Sequence, residues 1–292
     1  MTKKENVKLK SVVVMTILVL LASMFAIMSK AFLPSDVNID DFNSVFVTIL
    51  GFPIVASLYF IMVYSHSAIV TKIFGERTNL SKIQIGLRFG VCFALIFLFG
   101  MQEVVVEASP FSSWGIDFVV YQFFMGLGEA LVALIMCLAI SKWTLKDKKL
   151  VDHPGDYSIK NKTLLLIFIV VAFTLGRAMV YEIGLIASNV DNFPIATYGW
   201  TILFGLIIAF CFILLYPIFG EEKNSFKLSS KIVLMTIGLS WIIFNMFIGL
   251  IFKGAMVDVL LRSGLDVFWV FVASYFWHKY FNGSNHPTSD LQ

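Results

Sequence analysis

The stretch IDFVVYQFFMGLGEALVALIMCLAI, residues 116–140, is long enough to cross a bilayer as a helix and carries a carboxyl group, Glu129, near its centre. A membrane-spanning helix needs about 20 apolar residues to cross about 30 Å of hydrocarbon. An ionisable group at the middle of such a helix costs about 2.5 kcal/mol or more. The sequence therefore predicts that Glu129 faces other helices, and it marks this residue as a candidate for function.

The composition extends this interpretation to the rest of the chain. Of its 292 residues, 59% are hydrophobic and 14% are charged, and the mean hydropathy is +0.87. An ordinary soluble domain is about 25% charged. The net charge of +3 gives no indication of a nucleic-acid partner. We therefore predict an all-α polytopic membrane protein, with the lipid bilayer as its first partner and residues 1–292 as a single transmembrane domain.

The apolar residues fall into blocks of about 20 residues, the length of a membrane-crossing helix. Short and longer polar links alternate between the blocks, which predicts about eight transmembrane helices arranged as four hairpins. Within the second block, the sequence Gly51-Phe52-Pro53 predicts a kink or an unwound point, because proline disrupts helical hydrogen bonding. The predicted spans are 11–32, 44–64, 86–107, 117–140, 164–187, 197–218, 232–252 and 256–277.

The basic residues predict the orientation. All but four of the 22 lysine and arginine residues lie in the N-terminal segment, in or beside the links that follow every second span, or after the last span. Segments rich in these residues stay in the cytoplasm. We therefore expect both termini in the cytoplasm, and a bacterial cytoplasmic membrane as the location. The basic link 143–162 could also dock a protein partner, but a topology signal is the favoured explanation of its charge.

Two halves, residues 1–150 and 151–292, show signs of an internal duplication. The hairpins also suggest a shorter repeated unit, because residues 103–109, EVVVEAS, at the end of the third span align with residues 182–188, EIGLIAS, at the end of the fifth. The sequence around Glu129, GLGE, also resembles SGLD at 263–266. Short matches between apolar helices arise by chance as well, so both interpretations remain open.

Several of the few charged residues at membrane depth have recognisable surroundings. Glu129 lies beside Gly126 and Gly128, small residues that let a neighbouring helix approach closely. Asp266 follows Arg262 by four residues, so these two would share a helix face and could form an ion pair within the helix. Such a pair is the structural alternative to a functional role for Asp266.

Other charges need partners from elsewhere in the chain. Arg177 lies deep in the fifth span, where a cation requires an acid from another helix, and Glu103, Glu107 and Glu129 are candidates. Glu103 and Glu107 share a face and together suit a cation or a substrate amine. Alternatively, they simply end the third span at the membrane interface.

Together these residues predict a charged cavity, open to the outer side and lying between the two halves. Glu129, Asp266 and Arg177 would form its floor, and Glu129 could couple solute movement to a proton. For the two lysines near outer helix ends, snorkelling to the interface is the favoured alternative. The walls would be formed by Glu103, Glu107, Glu182, Lys30, Lys253 and Arg262.

A transport or ligand-binding protein for a small polar, ionic or zwitterionic solute is the leading hypothesis. An intramembrane enzyme that uses carboxylates on a lipid-like substrate, and a non-catalytic subunit of a larger complex, are the alternatives. The sequence contains no P-loop, GxSxG or HExxH motif. Its four histidines and three cysteines do not have the spacing of haem or metal ligands, so no cofactor is expected.

Overall fold

The computed structural model describes residues 3–31, 42–105, 115–147, 159–220 and 222–282. Within these ranges every regular element is helical and no strand is present, which confirms the all-α prediction for this part of the chain. The helices are α1 (Lys3–Ala31), α2 (Val45–Leu50), α3 (Phe52–Gly75), α4 (Lys82–Gly100), α5 (Gly115–Thr144), α6 (Ile159–Glu182), α7 (Pro194–Phe219), α8 (Ser225–Ser229), α9 (Leu239–Ile251) and α10 (Ala255–Trp277).

Among the described residues, seven helical segments are long and apolar enough to cross a membrane. Many of their large apolar side chains are exposed, as a lipid-facing surface requires and as soluble monomers rarely tolerate over large patches. This fold is that of a polytopic helical membrane protein. The predicted eighth span, α10, is not among the seven; it carries three charged residues, Asp258, Arg262 and Asp266. The seven segments are Leu9–Lys30, Phe52–Gly75, Lys82–Glu103, Val120–Thr144, Ile159–Glu182, Pro194–Phe219 and Ser225–Ile251.

The second span differs from its predicted position, 44–64. The short helix α2 and the long helix α3 lie on either side of Gly51, whose φ of +80° breaks the helix. Glycine adopts this backbone conformation at little cost, whereas other residues rarely do. Pro53 is tolerated in the first turn of α3, where an amide would have no helical acceptor. The predicted break at Gly51-Phe52-Pro53 is confirmed.

The helix α3 extends beyond the predicted end of the span because its polar side chains bond within the helix. The Ser67 hydroxyl donates to the Val63 carbonyl at 3.1 Å, and the Thr71 hydroxyl donates to the Ser67 carbonyl at 2.7 Å. Both hydroxyl residues are buried. A serine or threonine that bonds the carbonyl four residues earlier remains compatible with a membrane helix. The predicted end of the second span at residue 64 is therefore wrong, because the helix continues to Gly75.

Helices α4 and α5 pack antiparallel and approach each other at glycines. A Cβ added to Gly86 would lie 2.5 Å from Ser141 Oγ and 2.9 Å from Leu138 Cα. Towards the other end of the pair, a Cβ on Gly126 would lie 3.1 Å from the Leu98 carbonyl oxygen. In lipid, helices associate through van der Waals packing of this kind. The acyl chains are as apolar as the side chains, so the hydrophobic effect does not drive helices together.

A hydrogen-bonded cluster joins the beginning of α8 to the end of α10. Ser225 Oγ and His278 Nδ1 lie 2.8 Å apart, and Lys231 Nζ lies 2.6 Å from a carboxylate oxygen of Glu222. Lys231 belongs to a π-helical segment, Ser230–Gly238, that connects α8 to α9. Burial lowers the pKa of His278, and the negative charge of Glu222 opposes this shift.

We predict that Gly86→Ala destabilises the protein by about 1–3 kcal/mol, because the methyl group has no room against the backbone of α5. Gly264→Ala in α10 is the control, since a Cβ there meets nothing within 4 Å. The control should be neutral or stabilising by up to about 1 kcal/mol, given the higher helix propensity of alanine. Thermal unfolding in detergent measures both. Equal melting temperatures for the two variants would contradict the close α4–α5 contact.

We predict that His278 makes the protein less stable as the pH falls below about 6.5, its ordinary pKa. Because the folded pKa of His278 is lowered, the unfolded state binds more protons in this range, and stability falls with pH. Unfolding measured at pH 7.5 and 5.5 should show a smaller difference for His278→Gln than for the wild type. An unchanged difference would exclude this histidine as the source.

Candidate functional site: a buried charge network beside a small cavity

Arg177 of α6 lies at the centre of a buried ion-pair network. Its Nε and Nη2 atoms donate to the two carboxylate oxygens of Asp266 in α10, at 2.6 and 2.5 Å. Its Nη1 atom lies 2.7 Å from Oε1 of Glu103, in the 3₁₀ turn that follows α4. All three side chains are at most 3% exposed. The planar guanidinium fork suits this two-carboxylate arrangement, so Arg177 joins three helices through one side chain.

Further polar groups fix the positions of Arg177 and Asp266. The Trp241 indole donates to Asp266 Oδ2 at 2.9 Å, from α9. The Arg177 Nη1 atom also donates to the Tyr181 hydroxyl at 2.9 Å, one turn further along α6. A buried ion pair is stable only when hydrogen bonds satisfy its remaining atoms. Both carboxylate oxygens of Asp266 are therefore occupied as acceptors.

Arg262 forms the second cationic part of the network. Its Nη1 atom lies 3.5 Å from Glu103 Oε1, and its Nη2 atom donates to Asp258 at 3.0 Å and to the Ala187 carbonyl at 2.6 Å. The predicted pairing of Arg262 with Asp266 is wrong. Side chains on a helix lean towards its N-terminus, so Arg262 reaches back one turn to Asp258 and leaves Asp266 to α6.

Glu129 lies in a separate pair with Lys30. The Lys30 Nζ atom is 2.5 Å from Glu129 Oε1, and the glutamate side chain is 1% exposed. A Cβ on Gly128 would lie 2.8 Å from Ser29 Oγ, so glycine at this position lets α1 approach α5. Snorkelling is therefore the wrong explanation for Lys30, because its ammonium group turns towards a buried carboxylate.

A small cavity of about 60 Å³ lies between α3, α5, α9 and the end of α4. This volume is several times the minimum of about 10–15 Å³ that a single water needs, so the cavity has room for more than one water. Its polar lining comes from Tyr59, Glu103, Gln122 and Asn245. Within the described part of the chain, Glu103 Oε2 and Gln122 Oε1 are buried and have no hydrogen-bond partner.

Glu103 connects the cavity to the charge network. One of its oxygens, Oε1, faces Arg177 and Arg262, whereas Oε2 is unpaired among the described residues. Buried polar groups normally have partners, and an unsatisfied acceptor costs about 1–3 kcal/mol. The arrangement therefore leaves an acceptor ready for a ligand that donates a hydrogen bond.

The structure divides the predicted site residues into several groups. Glu103, expected in a wall, lines the cavity, and Asp266, Arg177 and Arg262 lie behind it in the network. Glu129 and Lys30 form their own pair, so the expected floor of Glu129, Asp266 and Arg177 is not a single surface. Glu182 is exposed and accepts from Tyr198 at 3.4 Å, and the Lys253 side chain is also exposed. Glu107 and most of the predicted docking link, residues 148–158, lie outside the described residues.

Four residues of the site were missed or undervalued by sequence reasoning. Asp258 was missed, although its i,i+4 spacing to Arg262 is a recognisable signal. Trp241 was missed because an indole in an apolar span gives no signal of its own. Gln122 and Asn245 both line the cavity, but an amide in an apolar span is more often a hydrogen bond between helices and so gives a weak signal of a site.

The comparisons with known proteins leave the site to be interpreted from its own geometry. No protein-family model matches the sequence, and neither a curated protein nor a solved structure matches it.

We predict strong coupling between Arg177 and Asp266 in a double-mutant cycle. Arg177→Gln and Asp266→Asn should each destabilise the protein by about 3–5 kcal/mol, because each leaves a buried charge without its partner. The double variant should cost less than the two losses added together, by about 1–3 kcal/mol. Unfolding free energies in detergent provide the measurement, and the exposed Lys253→Gln serves as control, with a change within about 0.5 kcal/mol. Additive losses would contradict the direct ion pair.

Proposed function

We propose that this chain is a membrane protein of the transport or solute-binding class, and that a small polar solute occupies the cavity beside Glu103. The observation that supports this most directly is the pair of buried acceptors, Glu103 Oε2 and Gln122 Oε1, which lack partners among the described residues. A solute that donates hydrogen bonds would satisfy both. Binding sites of this kind lie near the middle of helical bundles and combine an apolar wall with few polar groups.

The intramembrane-enzyme alternative has weaker support in the described contacts. An acid or base catalyst needs a carboxylate free to exchange a proton with the substrate. Asp266 accepts from Arg177 and Trp241, and Glu129 faces Lys30. Glu103 has a buried oxygen without a hydrogen-bond partner among the described residues, and the cavity that this residue lines is too small for a lipid chain. Solute binding is therefore the better proposal.

We propose further that α10 is an eighth span. Its charged residues are neutralised within the bundle: Asp266 by Arg177, and Arg262 by Asp258 and Glu103. The cost of these residues in hydrocarbon is accordingly reduced. With eight spans, both termini lie on one side, and the positive-inside rule favours the cytoplasm for that side. The cavity would then lie in the outer half of the bundle.

The packing of the helices also supports two repeats of four spans each. In the first half α1 packs against α3 and α5, and α5 packs against α4; in the second, α6 packs against α7 and α10, and α10 packs against α9. The halves meet through α3 with α9 and α4 with α7, pairs that a two-fold axis would exchange. In each half a base on the first span pairs with an acid on the fourth. Repeats with an even number of spans are parallel, related by an axis along the membrane normal.

We expect solutes that bind the cavity to stabilise the protein in a saturable way. The wild type in nanodiscs is heated with methylammonium, trimethylammonium, sodium and potassium chlorides and with glycine, and at least one should raise the melting temperature. A ligand at 100 times its dissociation constant contributes about 2.7 kcal/mol. Glu103→Gln and Gln122→Leu should weaken the effect, and the latter leaves the ion pairs untouched. Uptake of the same solute into proteoliposomes then separates transport from binding alone.

The matched control in this experiment is Glu182→Gln, which removes an exposed acid outside the cavity lining. It should keep the wild-type response. Stabilisation that persists in both cavity variants, or that is absent for every solute in the panel, would exclude the cavity as the binding site.

We propose that Glu129 couples solute movement to a proton, through its ion pair with Lys30. Protonation of the carboxylate would remove the charge that holds the Lys30 ammonium between α1 and α5. Glu129→Gln mimics the protonated state, so uptake by this variant should lose its dependence on pH between 5.5 and 8. Proteoliposome uptake over that range is the measurement. A pH profile equal to that of the wild type would exclude Glu129 as the residue that couples uptake to a proton.

A further inference from the structure

We infer that the ligand of the cavity is a small organic ammonium ion, which rests on the proposed function of the cavity as a solute site. Three aromatic side chains, Tyr59, Phe244 and Phe247, line the cavity together with Glu103. Aromatic faces attract cations through their quadrupole, and the attraction is strongest where water is excluded. The rings and the carboxylate thus favour the same kind of ligand.

One ring of the cavity wall, that of Phe247, already lies beside an ammonium group. Lys30 Nζ lies 4.6 Å from the ring centroid of Phe60 and 5.7 Å from that of Phe247. The Phe247 and Tyr59 ring centroids are 4.5 Å apart, and both rings line the cavity. Phe247 therefore belongs both to the surroundings of Lys30 and to the cavity wall. The carboxylate beside Lys30 is Glu129, and the carboxylate beside the cavity is Glu103, whose other oxygen faces Arg177 and Arg262.

The acceptors beside the cavity suit N–H donors. Glu103 Oε2 and Gln122 Oε1 are unpaired among the described residues. Methylammonium has three N–H donors for these two acceptors, whereas trimethylammonium has one N–H and can bond only one of them. The remaining lining residues besides Tyr59 and Asn245 are glycine, methionine, isoleucine and phenylalanine. Metal sites normally gather several charged or imidazole ligands, and no group of three or more His, Cys, Asp or Glu side chains that could hold a metal ion occurs among the described residues. An alkylammonium ion instead presents apolar surface to the rings and its charge to Glu103.

The size of the cavity limits the ligand. A volume of about 60 Å³ restricts the ligand to a few non-hydrogen atoms. Methylammonium and trimethylammonium fall below this limit. Tetraethylammonium exceeds it and serves as a cation of the same charge that should be excluded by volume.

The test compares cations by isothermal titration of the protein in nanodiscs. Methylammonium and trimethylammonium chlorides should bind at least about tenfold more tightly than sodium, potassium or tetraethylammonium chloride. Phe247→Leu keeps an apolar wall without the aromatic face and should weaken trimethylammonium binding about tenfold, equivalent to about 1.4 kcal/mol. Phe60→Leu is the control, because Phe60 contacts Lys30 but does not line the cavity. Phe244→Leu provides a second cavity variant should Phe247→Leu fail to fold.

The outcomes separate this inference from the proposed function. Equal or tighter binding of sodium or potassium, or equal binding by Phe247→Leu and the wild type, would overturn the ammonium assignment. Binding of glycine that depends on Glu103, without any binding of the ammonium salts, would also overturn it while leaving the cavity as a solute site. Absence of binding for every salt and for glycine would overturn both the ammonium assignment and the proposed solute site.

Discussion

The charge of Arg177 is the constraint on which one end of this bundle depends. A guanidinium in hydrocarbon is costly unless it is paired, and here Asp266 and Glu103 supply the pairing from two other helices. The network therefore ties α4, α6 and α10 together by neutralisation of charge, whereas α4 and α5 associate by close packing at glycines such as Gly86. Ion pairing and close packing thus stabilise neighbouring parts of the same fold.

Glu103 links this structural network to the proposed site. One of its oxygens is fixed by Arg177, which orients the carboxylate, and the other is left as an acceptor beside the cavity. A binding-site side chain that its neighbours already hold in place loses little conformational freedom when a solute binds. In the proposed site, the residues behind the cavity, including Asp266, would act on a solute by positioning Glu103 and would not touch it.

Sequence reasoning identified the residues that need partners but not the partners themselves. The cost of a charge in hydrocarbon depends on its depth in a span, so Glu129, Arg177 and Asp266 could be recognised from position alone. Lys30 was assigned to the interface because nothing local indicates that α1 lies against α5. Helical spacing shows which residues share a face but does not choose between them. Arg262 leans towards the N-terminus of its helix and therefore pairs with Asp258 and not with the expected Asp266. The cavity arises from four separate segments and has no counterpart in a single stretch of sequence.

The order of the charged residues along the chain has a consequence for biosynthesis. Glu129 is made after Lys30, Arg177 after Glu103, and Asp266 after Arg177, so the later member of each observed pair finds its counterion already translated. The two residues that come first, Lys30 and Glu103, lie at the end of α1 and just beyond the end of α4. Within these observed pairs, each later charge therefore enters the bundle when its neutralising partner has already been made.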